Sequence, residues 1–170
     1  MNLLITDLLE LASTEYERKE TLTEENLSKV VELSVLTFEG KAYEEDIKID
    51  YNIDSNIKMK IDENEIRELV EILLDNAIKH SLKNEVINIS LTNSDSDIKL
   101  LVSNKGDNIP KGEEEKIFER FYRVDKSRNR SENRYGLGLA IAKNIVLKHN
   151  GNITAESVNN ITTFKVLFKK

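Results

Sequence analysis

Four short segments of this chain carry residues whose types and spacing suit phosphate and nucleotide chemistry. The first is Arg134-Tyr135-Gly136-Leu137-Gly138, followed at once by the apolar run Leu139-Ala140-Ile141-Ala142. A helix that opens straight out of glycines presents free backbone N–H groups and the positive end of its dipole, a seat for an anion and most often a phosphate. The second is Asn76, Lys79 and His80, at i, i+3 and i+4 on one face of a helical stretch. The amide oxygen of Asn76 can join a magnesium shell, and Lys79 can meet phosphate oxygens. A solvated helix face ending in basic residues that suit the C-terminal dipole fits equally well.

The third segment, Ser103-Asn104-Lys105-Gly106-Asp107-Asn108-Ile109-Pro110, follows a strand directly. Asn104 stands at the strand end, where an amide can pair with the edge of a base, and Gly106 opens backbone conformations closed to other residues. The same residues make an ordinary turn. The fourth, Ile117-Phe118-Glu119-Arg120-Phe121-Tyr122-Arg123, gathers three aromatics within five residues. It reads as a docking knob or hinge, or, for Phe118, as a core anchor. Arg123 and Lys126 lie close enough in sequence to this cluster to reach phosphates, or else are simply solvated.

Positioning these residues requires alternating helices and strands. Residues 2–19 carry a leucine stripe, predicting a helix with no partner of its length nearby. Residues 21–26 read as a polar joint, and a helix is predicted over 27–45. Ile47, Ile49, Tyr51 and Ile53 alternate with polar residues as a half-buried strand, and Ile57, Met59 and Ile61 repeat the pattern. Asp62, with Glu65 three residues on, predicts a capped helix to Ser81, with Leu69, Ile72, Leu73 and Ala77 facing the core. Strands over 86–91 and 98–102 read as a hairpin, and a short helix over 113–121 follows a loop. The aperiodic basic segment 123–135 reads as mobile. A helix over 137–149 with Gly151 as its C-cap precedes a final hairpin around Asn159-Asn160.

Bulk composition narrows the classes. The chain has 170 residues, enough for one domain with a real core. Its net charge of −6 argues against nucleic acid as the main partner. There is no cysteine, which excludes disulfide and thiolate chemistry. Only His80 and His149 are present, far apart, so a histidine metal site is not expected. No stretch is long and apolar enough to read as a membrane span or a signal peptide.

In order and spacing, the four segments resemble the asparagine, first glycine, phenylalanine and second glycine boxes of the catalytic, ATP-binding domain of bacterial sensor histidine kinases. That domain has the Bergerat fold shared with gyrase, the Hsp90 chaperones and MutL. The resemblance covers residues 21–170. It implies an α/β two-layer sandwich, with a mixed sheet of about five strands covered by about three helices and preceded by a helical remnant. It implies ATP and Mg²⁺ as ligands, with Asn76 holding the metal and Asn76, Lys79 and Arg123 acting in catalysis. The nucleotide site would comprise Asn76, Lys79, His80, Asn104, Gly106, Ile109, Phe121, Tyr122, Arg123, Tyr135, Gly136, Leu137, Gly138 and Leu139, with residues 123–135 as the ATP lid.

Two positions depart from the family pattern. Asn104 replaces the usual adenine-reading aspartate, and its amide oxygen can still accept from the adenine amino group. Asn108 replaces the second glycine of its box, and Asn tolerates left-handed backbone geometry. Ile72 stands where hydrolytic relatives place a water-activating glutamate, and isoleucine cannot act as a base. Transfer to a separate acceptor is therefore expected over hydrolysis. Neither His80 nor His149 stands in the family's acceptor motif.

Residues 1–20 read as the end of the dimerisation and phosphoacceptor hairpin. The expected partners are that domain in the parent kinase and the receiver domain of a response regulator. No nucleic-acid partner or direct membrane contact is expected. The expected location is the cytoplasm, with the parent anchored in the cell membrane. A degenerate nucleotide-sensing or protein-interaction module on the same scaffold is the alternative. A gyrase-like clamp and an anti-sigma serine kinase fit less well.

Overall fold

The structure, a computed structural model, describes residues 22–124 and 136–170. The predicted helix over 2–19, Lys126 and Tyr135 lie outside the described residues, as does nearly all of the expected lid.

The chain begins with strand β1 (Thr23–Asn26), which runs straight into helix α1 (Leu27–Glu44). Strands β2 (Lys48–Ile53) and β3 (Lys58–Ile61) lead to helix α2 (Glu63–His80). The hairpin of β4 (Val86–Asn93) and β5 (Asp97–Lys105) follows. A 3-10 turn at Lys116–Phe118, helix α3 (Gly138–Lys148) and the hairpin of β6 (Gly151–Val158) and β7 (Ile161–Lys169) complete it. The main sheet has the order β2-β4-β5-β7-β6. Its β2–β4 pair is parallel and the rest antiparallel, so the sheet is mixed as expected.

One face of that sheet is dry. Ile98, Leu100, Val102 and Asn104 of β5, and Thr162, Phe164, Val166 and Phe168 of β7, alternate into it. The three helices pack there, and α2 buries Ile66, Leu69, Val70, Leu73, Leu74, Ala77 and Ile78. Each large side chain among them is worth roughly 1.5–3 kcal/mol. This apolar stripe therefore sets the rotation of α2, and with it the direction of Asn76. Ile72, expected in the core, is only half-buried. The opposite face is open, crossed by the polar row Asp50, Asn88, Ser103, Thr163 and Glu156.

Three local expectations are corrected. The polar joint is strand β1, paired antiparallel with β3 from Thr23↔Ile61 to Asn26↔Lys58. Its ribbon is fastened to α1 by Leu27 N–H on Ile57 O (2.8 Å) and by Ser28 Oγ–H on Asp54 O (2.6 Å). The helix over 113–121 shrinks to one 3-10 turn, held by buried Ile117 and Phe118. The residue in left-handed conformation after α3 is Asn150 (φ 54°), while Gly151 already belongs to β6. Gly151 is needed for space, because a Cβ there would stand 2.8 Å from Leu167 O. As expected, the final hairpin turns on Asn159 (φ 52°) and Asn160 (φ 63°), the left-handed pair of a two-residue turn.

Candidate functional site

The site residues converge where the C-terminal half of α2, the end of β5 and the start of α3 meet. A Cβ added to Gly138 would touch the Ile72 Cγ2 methyl at 3.5 Å, so the first turn of α3 stands against the Ile72 face of α2. Asn76 lies one turn further along that face and is half-buried. Among the described residues, no side chain hydrogen-bonds to its carboxamide. Lys79 and His80 follow on the exposed last turn.

The first turn of α3 has no side-chain cap and no acidic residue. Leu137, at the cap position, is buried and cannot serve a helix N–H. Gly136 is left-handed (φ 71°), and a Cβ there would stand 2.9 Å from Tyr122 O. Both the torsion and the crowding demand glycine. Phe121 N–H donates to Gly136 O at 3.0 Å, tying the phenylalanine segment to the mouth of α3. Phe121 itself is left-handed (φ 65°), a strain of about 1–2 kcal/mol for a bulky residue.

Phe118 is the core anchor of its segment, edge-on to Phe164 with ring centroids 6.3 Å apart. Phe121 is exposed and Tyr122 half-exposed. The Tyr122 hydroxyl donates to the Glu113 carboxylate, and this bond, then desolvation and nearby acidic charge, raises the phenol above its usual range. Arg123 is exposed, and Ile109 and Leu139 are half-buried against the core.

Gly106 meets its need in an unexpected way. Its φ is not positive, so no left-handed conformation is involved. A Cβ there would fall 1.7 Å from the His80 carbonyl oxygen. The end of α2 and the end of β5 touch backbone to backbone, joined by the Ser81↔Gly106 bridge and by Leu82 N–H on Lys105 O (2.9 Å). Asn108 is likewise not left-handed. Its side chain instead clamps the loop to the last hairpin. Nδ2 donates to Asn160 Oδ1 (2.9 Å), and Oδ1 accepts from Ser157 Oγ (2.9 Å) and Asn160 N (3.0 Å). Local sequence gave no sign of this clamp, whose partners lie 52 and 49 residues away.

Asn104 is 2% exposed on the helix side of β5. Among the described residues neither Oδ1 nor Nδ2 has a hydrogen-bond partner, and the only other such buried side-chain atom there is Glu113 Oε2. A buried amide normally finds partners, because leaving it unpaired costs about 1–3 kcal/mol. An orphaned donor–acceptor pair beside a glycine cradle fits the edge of a purine. The bare helix end and the polar Asn76 face fit its phosphates. Among the described residues, no group of three acidic, histidine or cysteine side chains is placed to hold a metal. Asn76 fits a metal as one oxygen donor, with the remaining ligands coming from phosphates and water.

Comparison with known proteins agrees. The family described as Histidine kinase-, DNA gyrase B-, and HSP90-like ATPase matches residues 61–170. The signal transduction histidine-protein kinase ArlS of Staphylococcus haemolyticus (strain JCSC1435) is 43% identical over 114 residues, which cover 66% of this chain and 25% of that relative. The chain thus spans about a quarter of the length of this curated relative. The nucleotide-free catalytic domain of histidine kinase ThkA superposes with a TM-score of 0.76 at 27% identity, covering 87% of this chain and 95% of that one. ThkA in complex with response regulator protein TrrA gives a TM-score of 0.80 at 27% identity, covering 98% of this chain and 47% of that one. The chain belongs to the histidine kinase-, DNA gyrase B- and HSP90-like ATPase family, and it is the ATP-binding catalytic domain of the sensor histidine kinase type.

Proposed function

We propose that this domain holds Mg·ATP and donates its γ-phosphoryl group to a histidine on a separate helical domain, for onward passage to a response regulator. The observation that carries this reading is the uncapped, acid-free N-terminus of α3 standing against the Ile72–Asn76 face of α2. In this reading the first N–H groups of α3 and the backbone at Gly136 and Gly138 hold the phosphates. Lys79 and Arg123 supply positive charge, and Asn76 Oδ1 serves as a magnesium ligand. Bound Mg²⁺ would neutralise charge on the phosphate oxygens. Asn104, Gly106 and Ile109 frame the base, and Phe121 and Tyr122 border the phosphate end with Leu137 and Leu139.

Positioning and charge neutralisation carry most of the catalysis in such a transfer. A bond forms from phosphorus to the acceptor imidazole nitrogen as the bond to the β–γ bridging oxygen breaks. Ile72 offers no base for water, so hydrolysis is disfavoured. The acceptor is not His149, whose side chain is fully buried with both ring nitrogens engaged. Residues 1–20 belong, in this reading, to the acceptor hairpin, and the domain works on the cytoplasmic side of a membrane-anchored parent. Among the described residues, no helix is long and apolar enough to cross a membrane. The engagement of Asn108 also weakens the degenerate-module alternative, since that departure from the family pattern has a structural task of its own.

Incubation with γ-labelled ATP tests the reading. The expected result is no label on this chain, slow phosphate release, and acid-labile label on the parent's helical hairpin supplied in trans. Label on the domain itself, or rapid hydrolysis, would overturn it.

A further inference from the structure

The orphaned amide of Asn104 bears on which nucleotide the site accepts, and the inference rests on the nucleotide-binding reading above. Its surroundings leave the amide orientation unset. Asn104 pairs across the sheet with Thr162, the nearest candidate to orient it. The Thr162 hydroxyl is occupied elsewhere. Ser157 Oγ donates to Asn108 Oδ1, and Thr162 Oγ1 lies 2.9 Å from Ser157 Oγ and 3.5 Å from Asp107 O, so its one proton has acceptors other than Asn104. None of these bonds involves the Asn104 amide. On the other side, a Cβ at Gly106 would lie 3.4 Å from Asn104 Nδ2, and the nearby His80 carbonyl makes no bond to the amide.

We propose that Asn104 makes this site tolerant of the group at purine position 6, so that 6-oxopurine nucleotides bind nearly as well as ATP. An amide carries an acceptor and a donor on the same carbon. Against adenine, Oδ1 accepts from the exocyclic amino group and Nδ2 donates to N1. Against hypoxanthine, the amide turned by half a revolution donates from Nδ2 to O6 and accepts at Oδ1 from N1–H. The number of hydrogen bonds is the same. Since no group among the described residues fixes the amide, neither orientation starts with an advantage. A carboxylate has only acceptors, so it suits the adenine amino group and leaves O6 facing negative charge. Asn104 is thus the specificity-determining residue of the base pocket. Inosine nucleotides are the cleanest probe because they lack the 2-amino group of guanine.

Calorimetric titration of the intact chain with ATP and with ITP, each with Mg²⁺, tests this. The expected result is a ratio of dissociation constants within about threefold for the wild-type protein. Asn104→Asp should open that ratio to about tenfold or more in favour of ATP, the usual scale for a lost or repulsive buried polar contact. A wild-type protein that binds ATP but discriminates against ITP by tenfold or more would overturn the inference and leave the proposed function standing. So would an Asn104→Asp protein that binds ATP with the wild-type ratio. A folded wild-type protein that binds neither nucleotide would instead overturn the proposed function. The wild-type comparison needs no variant to fold.

Discussion

The two ends of helix α2 are built on opposite plans. At its N-terminus the buried polar groups are answered by the protein. Asp62 Oδ1 accepts from Asn64 N–H (2.9 Å) and Glu65 N–H (3.1 Å), and Glu63 and Glu65 complement the dipole. His149 at the end of α3 is buried beside it. The ring accepts from Asp62 N–H at Nε2 (3.1 Å) and donates from Nδ1 to Ile145 O (2.7 Å). Lys148 pairs with Glu65, and Phe168 packs edge-on to the histidine ring. At the C-terminal end, Asn104 is as buried as His149 yet its amide has no partner among the described residues, and the α3 N-terminus beside Ile72 has no side-chain cap. One end is finished by the chain itself. The other is left for a ligand to finish, and buried polarity distinguishes them where burial alone does not.

The largest expected effect is at the open end's wall. Gly106→Ala pushes a methyl into the His80 carbonyl, and either no folded protein is recovered or urea unfolding shows a loss of about 3 kcal/mol or more. His149→Ala empties the closed end and strands the Asp62 N–H, costing about 2–3 kcal/mol. Its ATP affinity should stay within about threefold, since the finished end takes no part in binding. Equal loss of ATP binding there would erase the distinction between the ends.

Asn104→Leu should behave in the reverse way. Replacing an unpaired buried amide by a hydrocarbon of similar size stabilises the free protein by about 1 kcal/mol in urea while weakening ATP binding by about tenfold or more. A destabilised Asn104→Leu protein would show that the amide has a structural partner after all. The smallest effect is Asp62→Ala, which removes a cap worth about 1 kcal/mol and leaves ATP titration unchanged.

The closed end was the more legible in sequence, because its signals are local. Asp62 with Glu65 marks a helix start within four residues. The open end was legible as an order of four motifs, yet the reasons for its key residues were not. Gly106 answers a carbonyl 26 positions upstream, and Asn108 answers a hairpin about 50 positions downstream. Neither need shows in a turn-like string of polar residues. Strand β1 was missed for the same reason. Thr23-Glu24-Glu25-Asn26 has no apolar alternation, and only its pairing with β3 makes it a strand. The expected helix over 113–121 reduces to one turn because Ile117 and Phe118 alone are anchored in the core. That outcome depends on tertiary packing rather than on propensity.

The claim that the open end is a Mg·ATP site is tested most directly by calorimetry with ATP in the presence and absence of Mg²⁺, on the wild type and on Asn76→Ala. The account predicts a wild-type dissociation constant of roughly 1 µM to 1 mM. It also predicts weakening by about tenfold or more, either when the metal is chelated or when the Asn76 oxygen is removed. Binding by Asn76→Ala that equals the wild type, or no binding by a folded wild-type protein, would contradict it.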